Sequence, residues 1–351
     1  MPNTTRAHFV LGGQEIAAGS RATVDLPVVQ LYTHTPVTMP VHVVHGRRLG
    51  PTLLVCAAIH GDEINGVEII RRLLQLPQLG RVRGTLLAVP IVNVLGFIGR
   101  TRYLPDRRDL NRAFPGSEQG SLAARIAHLF KTEVLDKASH VIDLHTAASH
   151  RANLPQVRVN LASEASAAMA AAFGLPVVIN AGLIEGSLRH VADSQGIPVL
   201  TYESGEALRF DEPGIKAGVR GIVRVMRHLG MLPAGRGVTV PQCRHFVADS
   251  SNWVRAEQDG IFRAQVALGA QVRQGQVLGH IADPFGACEI AVEANATGIV
   301  VGRTNLPLVH EGEALYHIAR FAGSANQVAR QVEVLQEQLV AADMLGEASL
   351  D

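Results

Sequence analysis

The stretch Thr52-Leu53-Leu54-Val55-Cys56-Ala57-Ala58-Ile59, followed at once by His60-Gly61-Asp62-Glu63, decides how this chain is read. The first eight residues form an apolar, strand-like run, and from Glu63 to Gln75 the pattern turns helical. A histidine and a carboxylate three residues apart at such a turn can share one metal ion. A short His-x-x-Glu match arises often by chance, and either residue could be satisfied by backbone hydrogen bonds. What lifts the pair above that reading is a second apolar run, His140 to Leu144, which ends at His145 in Asp143-Leu144-His145. Two histidines and one glutamate, His60, Glu63 and His145, make an open zinc site with a coordination position left for water and substrate. Cobalt or manganese could substitute at such a site.

Working outward, short apolar runs alternate with helical patterns. Gly84 to Ile91 reads as a strand, Ser121 to Asp136 as a helix and His140 to Leu144 as a strand. The alternation continues through Val157 to Leu161, Glu164 to Phe173, Pro176 to Asn180, Ser187 to Gln195 and Ile197 to Tyr202. It predicts an α/β fold with a mostly parallel sheet flanked by helices. Ligands of open α/β sheets collect beyond the carboxyl ends of strands. His60, His145 and Glu203 each fall at such an end, on three separate expected strands. His34, His42, His45 and His128 read as surface or core residues, and nothing in the spacing of His150 or His190 demands a role.

A chain of 351 residues with 47% hydrophobic content can bury a large core and is expected to form more than one domain. A formal net charge of +1, without a dense basic stripe, argues against nucleic acid as a partner. Cys56, Cys243 and Cys288 are widely spaced and lack a CxxC pair, so buried free thiols are expected rather than disulfides or a thiolate zinc site. No segment reads as a secretory leader or a membrane span, which places the expected site of action in the cytoplasm.

Two further constellations carry chemistry. Arg102-Tyr103 and Arg107-Arg108-Asp109-Leu110-Asn111-Arg112 lie in a loop crowded with cations and donors. Arginine forks suit carboxylates, an asparagine adds a directed amide, and Asp109 could orient a metal-ligating imidazole. Without the metal motif the same loop would read as a solvated basic surface. In Tyr202-Glu203-Ser204-Gly205-Glu206, a carboxylate beside the metal can take a proton from water and return it to a departing amine. Glu203 is favoured over Glu206 because it ends the strand directly. The plain alternative is an acidic cluster capping a helix.

After about Met231 the helical periodicity gives way to glycine-punctuated short strands from Asn252 to Arg320. The runs Gly260 to Ile281 and Ile290 to Val301 resemble the folded hammerhead of biotinyl and lipoyl carrier domains, a barrel-sandwich-like all-β unit. Where the carrier lysine would lie, the chain reads Asp283-Pro284-Phe285-Gly286-Ala287, so no covalent cofactor is expected. Ala325 to Met344 has helical spacing with Val328, Val332, Leu335 and Leu339 in one stripe, suited to the body of the protein or to a second subunit of a homo-oligomer. The expected divisions are residues 1–235, 236–322 and a helical tail 323–351.

His60-Gly61-Asp62-Glu63, Asp109-Leu110-Asn111-Arg112, Asp143-Leu144-His145 and Glu203-Ser204-Gly205 together resemble, in order and context, the succinylglutamate desuccinylase/aspartoacylase family of zinc carboxypeptidase-like hydrolases. The resemblance covers most of the chain, the carboxy-terminal β domain included. It implies one zinc per chain on His60, Glu63 and His145, with Glu203 as general base and acid. It further implies Arg102 polarising the scissile carbonyl, Asn111 and Arg112 clamping a substrate α-carboxylate, and Asp109 supporting a ligand histidine. The family's arginine precedes the Asp-Leu-Asn-Arg motif by a variable distance, so Arg100 or Arg108 could take the role given to Arg102. The implied activity is hydrolysis of the amide of a small N-acyl amino acid, with acetyl, succinyl and longer acyl groups all open and with compatible-solute derivatives among the candidate substrates. A carboxypeptidase acting on a small peptide or cell-wall fragment is the alternative within hydrolases, and a non-catalytic metal-binding protein the alternative outside them.

Overall fold

The computed structural model describes residues 6–234 and 245–344. Four parallel strands form its centre, in the spatial order Arg83–Val89, Arg48–Ala57, His140–Ala147 and Val199–Glu206. Successive side chains of a strand point to opposite faces, so Leu53, Val55 and Ala57 enter one core while Leu54 and Cys56 enter the other. A strand covered on both sides needs the uncharged run seen at 52–59. Helices Asn65–Gln75, Glu164–Phe173 and Glu212–His228 cover the first face, and Leu122–Glu133 and Leu188–Ser194 the second.

The predicted parallel order holds for this centre, and the strands that border it on either side run antiparallel to it. Ser20–Gln30 and Pro36–His45 form a hairpin beside Arg83–Val89, and Arg151–Val159 pairs antiparallel with Val199–Glu206. A hairpin needs only a short turn, so Ser20–Gln30 and Pro36–His45 left no alternation with helices in the sequence; Arg151–Val159 was read there only at its end, as Val157 to Leu161, and its antiparallel direction is set by pairing with a strand two helices further along the chain. The first helix begins at Asn65, two residues later than its pattern suggests. Glu63 stays in the turn before it, its amide bonded to the His60 carbonyl.

The carboxy-terminal strands continue the same sheet. Gly298–Thr304 pairs with Arg151–Val159, and Ala314–Arg320 and Ser250–Arg255 follow in order. Against them lies a four-stranded sheet of Glu289–Glu293, Val277–Ala282, Gly260–Ala264 and Leu308–Val309, with Phe262, Leu278, Ile281 and Val292 in a core of their own. The turn where a carrier lysine would stand is a hairpin tip with Phe285 exposed. Cys288 in that hairpin is exposed rather than buried, because a two-stranded tip has nothing packed over it; Cys56 is buried as expected. Cys243 and the expected boundary at 235–236 lie outside the described residues, as do residues 345–351. Helix Ala325–Met344 packs on this chain: Val328 and Val332 meet Ile299 and Val301, and Leu339 joins the main core. Among the described residues no helix is long and apolar enough to cross a membrane.

His317 in the Ala314–Arg320 strand is buried and stacked on Trp253, ring centroids 4.6 Å apart. Burial first, and the Arg158 charge second, push its pKa down to about 4. The unfolded chain therefore takes up a proton near pH 6.5 that the folded protein refuses. Stability is complete above that value and falls by at most about 3 kcal/mol as pH drops toward 4. In thermal melts at pH 7 and pH 5, the His317→Phe variant is expected to lose less stability on acidification than the wild type; an unchanged difference would show that His317 is not the acid-labile group.

Candidate metal centre

The turn after Arg48–Ala57 is built to hold side chains still. Ala58 takes a left-handed backbone, φ 50°, and its carbonyl accepts from Asn93 N. A Cβ at Gly61 would stand 2.1 Å from the Gly96 carbonyl carbon, so only glycine lets the two turns approach. Asn65 bridges the neighbouring strand end, donating to the Ser204 carbonyl and accepting from Asp211 N. Within this frame His60, Glu63 and His145 are all buried and offer one ligand atom each within 4.8 Å of one another.

The rings face inward through Nδ1. His60 Nδ1 lies 2.7 Å from Glu63 Oε1, and His145 Nδ1 lies 2.8 Å from Glu63 Oε2. Their outer nitrogens are held by carboxylates: His60 Nε2 by Asp109 at 3.2 Å and His145 Nε2 by Asp143 at 2.8 Å. A carboxylate on the far nitrogen of a histidine fixes the ring and raises its basicity, the usual support of a metal-ligating imidazole. Two imidazoles and a carboxylate, so braced, are a donor set that fits zinc. Burial alone would push Glu63 up and both histidines down. The paired charges win: the two rings hold Glu63 well below the usual carboxylate range, and Asp143 and Glu63 raise His145 well above its ordinary value.

Arg102 joins this cluster, donating to Glu63 Oε1 at 3.1 Å and to Asp109 Oδ2 at 3.2 Å. The other two arginines considered for its role stand apart. Arg100 is the exposed, left-handed cap that ends helix Val94–Gly99, and Arg108 lies 3.8 Å from Asp106 at the surface. Asp109 also caps the short Leu110–Arg112 turn through Asn111 N. Asn111 Oδ1 accepts from Leu188 N and so anchors the start of helix Leu188–Ser194, while Arg112 is exposed.

Glu203 sits opposite His145 in the parallel pairing of their strands, which puts both side chains on one face. Asn153 donates to its Oε2 at 2.8 Å, and Arg158 Nε lies 3.5 Å from its Oε1. Glu206 is used differently: it receives His150 N and Asn305 Nδ2, tying two loops together. His45 is a structural residue bonded to Thr85, in line with its sequence reading.

Sequence reasoning assigned no role to Asn153 or Asn65. Each acts across a strand pairing or a turn that no local pattern announces. Asp143 was visible beside His145, and its period-two spacing on a strand places it on the same face.

Residues 49–229, just over half of the chain, match the family model described as the succinylglutamate desuccinylase/aspartoacylase catalytic domain. The chain belongs to this family. Within it, the N-alpha-acetyl-L-2,4-diaminobutyric acid deacetylase of Halomonas elongata is 28% identical over 299 residues, covering 82% of this chain and 87% of the relative. A succinylglutamate desuccinylase/aspartoacylase crystal structure from Rhodobacter sphaeroides is 27% identical, with a TM-score of 0.75 over 86% of this chain and 96% of that one. The product-bound ectoine utilization protein EutE of Ruegeria pomeroyi shares the fold, with a TM-score of 0.76 at 24% identity over 86% of this chain and 95% of that one.

Proposed function

We propose that this family member is a zinc-dependent deacylase that hydrolyses the amide bond of a small N-acyl amino acid. The observation that carries the reading is the convergence of both Nδ1 atoms on Glu63, each ring braced from behind by a carboxylate, with Glu203 in register beside His145. His60, Glu63 and His145 would hold one zinc ion per chain, which when bound supplies Lewis acidity toward water and the amide carbonyl.

The protein's own groups do the rest. Glu203 takes the proton of the attacking water and returns it to the amide nitrogen, so that the amine leaves neutral. Asn153 holds the Glu203 carboxylate in one orientation for both transfers. Arg102, fixed by Glu63 and Asp109, keeps further N–H groups for the carbonyl oxygen, where negative charge develops. Arg112 and the Asn111 amide receive the substrate's α-carboxylate, a planar anion that a guanidinium fork fits. Residues 1–235 form the catalytic unit in this reading. Residues 236–322 form the β unit that extends its sheet, and residues 323–351 the helical tail. The deacetylase relative favours acetyl over longer acyl groups and a diamino acid as the released amine.

Release of free amine from N-acetyl, N-succinyl and N-formyl amino acids, N-acetyl-2,4-diaminobutyrate among them, tests the proposal with zinc-loaded protein. Hydrolysis of the acetylated members ahead of the others is the expected result. Cleavage of dipeptides with silence on every acylated amino acid would replace it with a small-peptide carboxypeptidase.

A further inference from the structure

At the amino ends of the parallel strands, opposite the metal centre, lies a cleft of about 750 Å³. Arg21, Arg47, Arg48, Arg81, Arg83 and Arg227 line it, and among the described residues no carboxylate does. These arginines come from the first hairpin strand, the link into Arg48–Ala57, the link into Arg83–Val89 and the end of helix Glu212–His228. The reason for the missing acids is written in the chain. Residues 26–61, 69–105 and 213–248 contain no aspartate or glutamate, and folding brings parts of all three stretches to this one cleft.

Arginines elsewhere are commonly matched: Arg72 to Glu68 and Glu212, Arg102 to Glu63 and Asp109, Arg263 to Glu289. Among the described residues, none of the six cleft arginines forms an ion pair, and Arg227 Nε is buried without a hydrogen-bond partner. The negative end of helix Glu212–His228 offsets roughly half a charge, against six. The cleft floor is rigid backbone. Gly46 N bonds to the Gly84 carbonyl, Arg83 N to the Met231 carbonyl, and Arg6 clamps the Gly46 and Gly84 carbonyls from behind. Gly80 and Gly230 have open space where a side chain would begin, which leaves room for a ligand beside the guanidinium groups.

We propose that this cleft is a binding site for a small oligophosphate anion, separate from the metal centre. Several planar forks from different segments suit an anion with several charged oxygens, each fork giving a paired contact to one phosphate group. A volume within the usual range of small-molecule sites favours a compact ligand over a polymer lying on a surface. Inorganic tripolyphosphate and a nucleoside triphosphate share this chemistry and differ in the base and sugar.

The test is calorimetric titration of zinc-loaded full-length protein with tripolyphosphate, ATP and orthophosphate, beside an Arg81→Ala/Arg83→Ala double variant. Both arginines are exposed and outside the hydrolytic machinery, so the variant should fold and keep the deacylase rate. One-to-one binding of tripolyphosphate is expected, at least about tenfold tighter than orthophosphate and weakened about tenfold or more in the variant. Tighter binding of ATP than of tripolyphosphate would assign the site to nucleotides; equal binding would assign it to the phosphate chain alone. Absence of binding at millimolar concentration, or binding undiminished in the variant, would overturn the proposal. Capture of zinc by the phosphate belongs to the second outcome, since it would persist in the variant and appear as lost zinc. Binding of heparin without binding of tripolyphosphate would also overturn it, in favour of a polyanion surface.

Discussion

The Glu203→Gln variant is expected to keep its fold and its zinc while kcat for amide hydrolysis falls by about 10²- to 10⁴-fold, the contribution of one positioned acid/base group. That loss corresponds to about 3 to 5 kcal/mol of transition-state stabilisation. Glutamine preserves size, and its amide oxygen can still accept from Asn153 while the contact with Arg158 is given up, so strand pairing should survive. It cannot take a proton from water. Because the group works in proton transfer rather than in holding substrate, kcat should fall far more than KM rises. Glu206→Gln is the matched control: its carboxylate ties His150 to Asn305, and turnover near wild type is expected. Full activity in Glu203→Gln would move the acid/base role to another residue.

The second large effect concerns the ligands. His145→Ala removes one of three protein donors and leaves Glu63 and Asp143 facing each other across the space the ring filled, so zinc content after gel filtration should fall to background and turnover with it. Asp143→Asn is the informative companion. It keeps all three donors but weakens the brace behind His145, and metal affinity should drop by about 10- to 100-fold, with activity restored by excess zinc. Metal content by atomic absorption, read beside activity at rising zinc, separates the two. Stoichiometric zinc in purified His145→Ala would refute the assignment of this ligand.

The His60, Glu63 and His145 cluster was legible before folding because the two histidines lie near the carboxyl ends of two parallel strands and Glu63 in the turn that follows the first of them. The uncharged run at 52–59 announces a strand covered on both faces, and a polar residue that interrupts such a run must leave the core or be paired there. His60 and His145 do the second. The amino-terminal hairpin was hidden because hairpins lack the strand-helix rhythm that exposes parallel units, and Asn153 was hidden because it precedes the Val157 to Leu161 run that announced its strand and meets Glu203 only through a long-range antiparallel pairing. Arg102 could not be separated from Arg100 and Arg108 in sequence. Their spacing differs by a few residues in a loop, and only the loop's path shows that one reaches Glu63 while another caps a helix.

Local chemistry therefore determined the fold class, the three converging donors and the glutamate beside them, because periodicity and strand ends are properties of short segments. Tertiary structure alone decided which nitrogen of each histidine faces inward, which arginine meets the cluster, and that the carboxy-terminal strands continue the catalytic sheet. It also gathered arginines from distant segments into one cleft, which a net charge of +1 spread over 351 residues does not foretell. The physical reason is common to all four: they are matters of distance between residues far apart in the chain, and only packing of the whole sheet sets those distances.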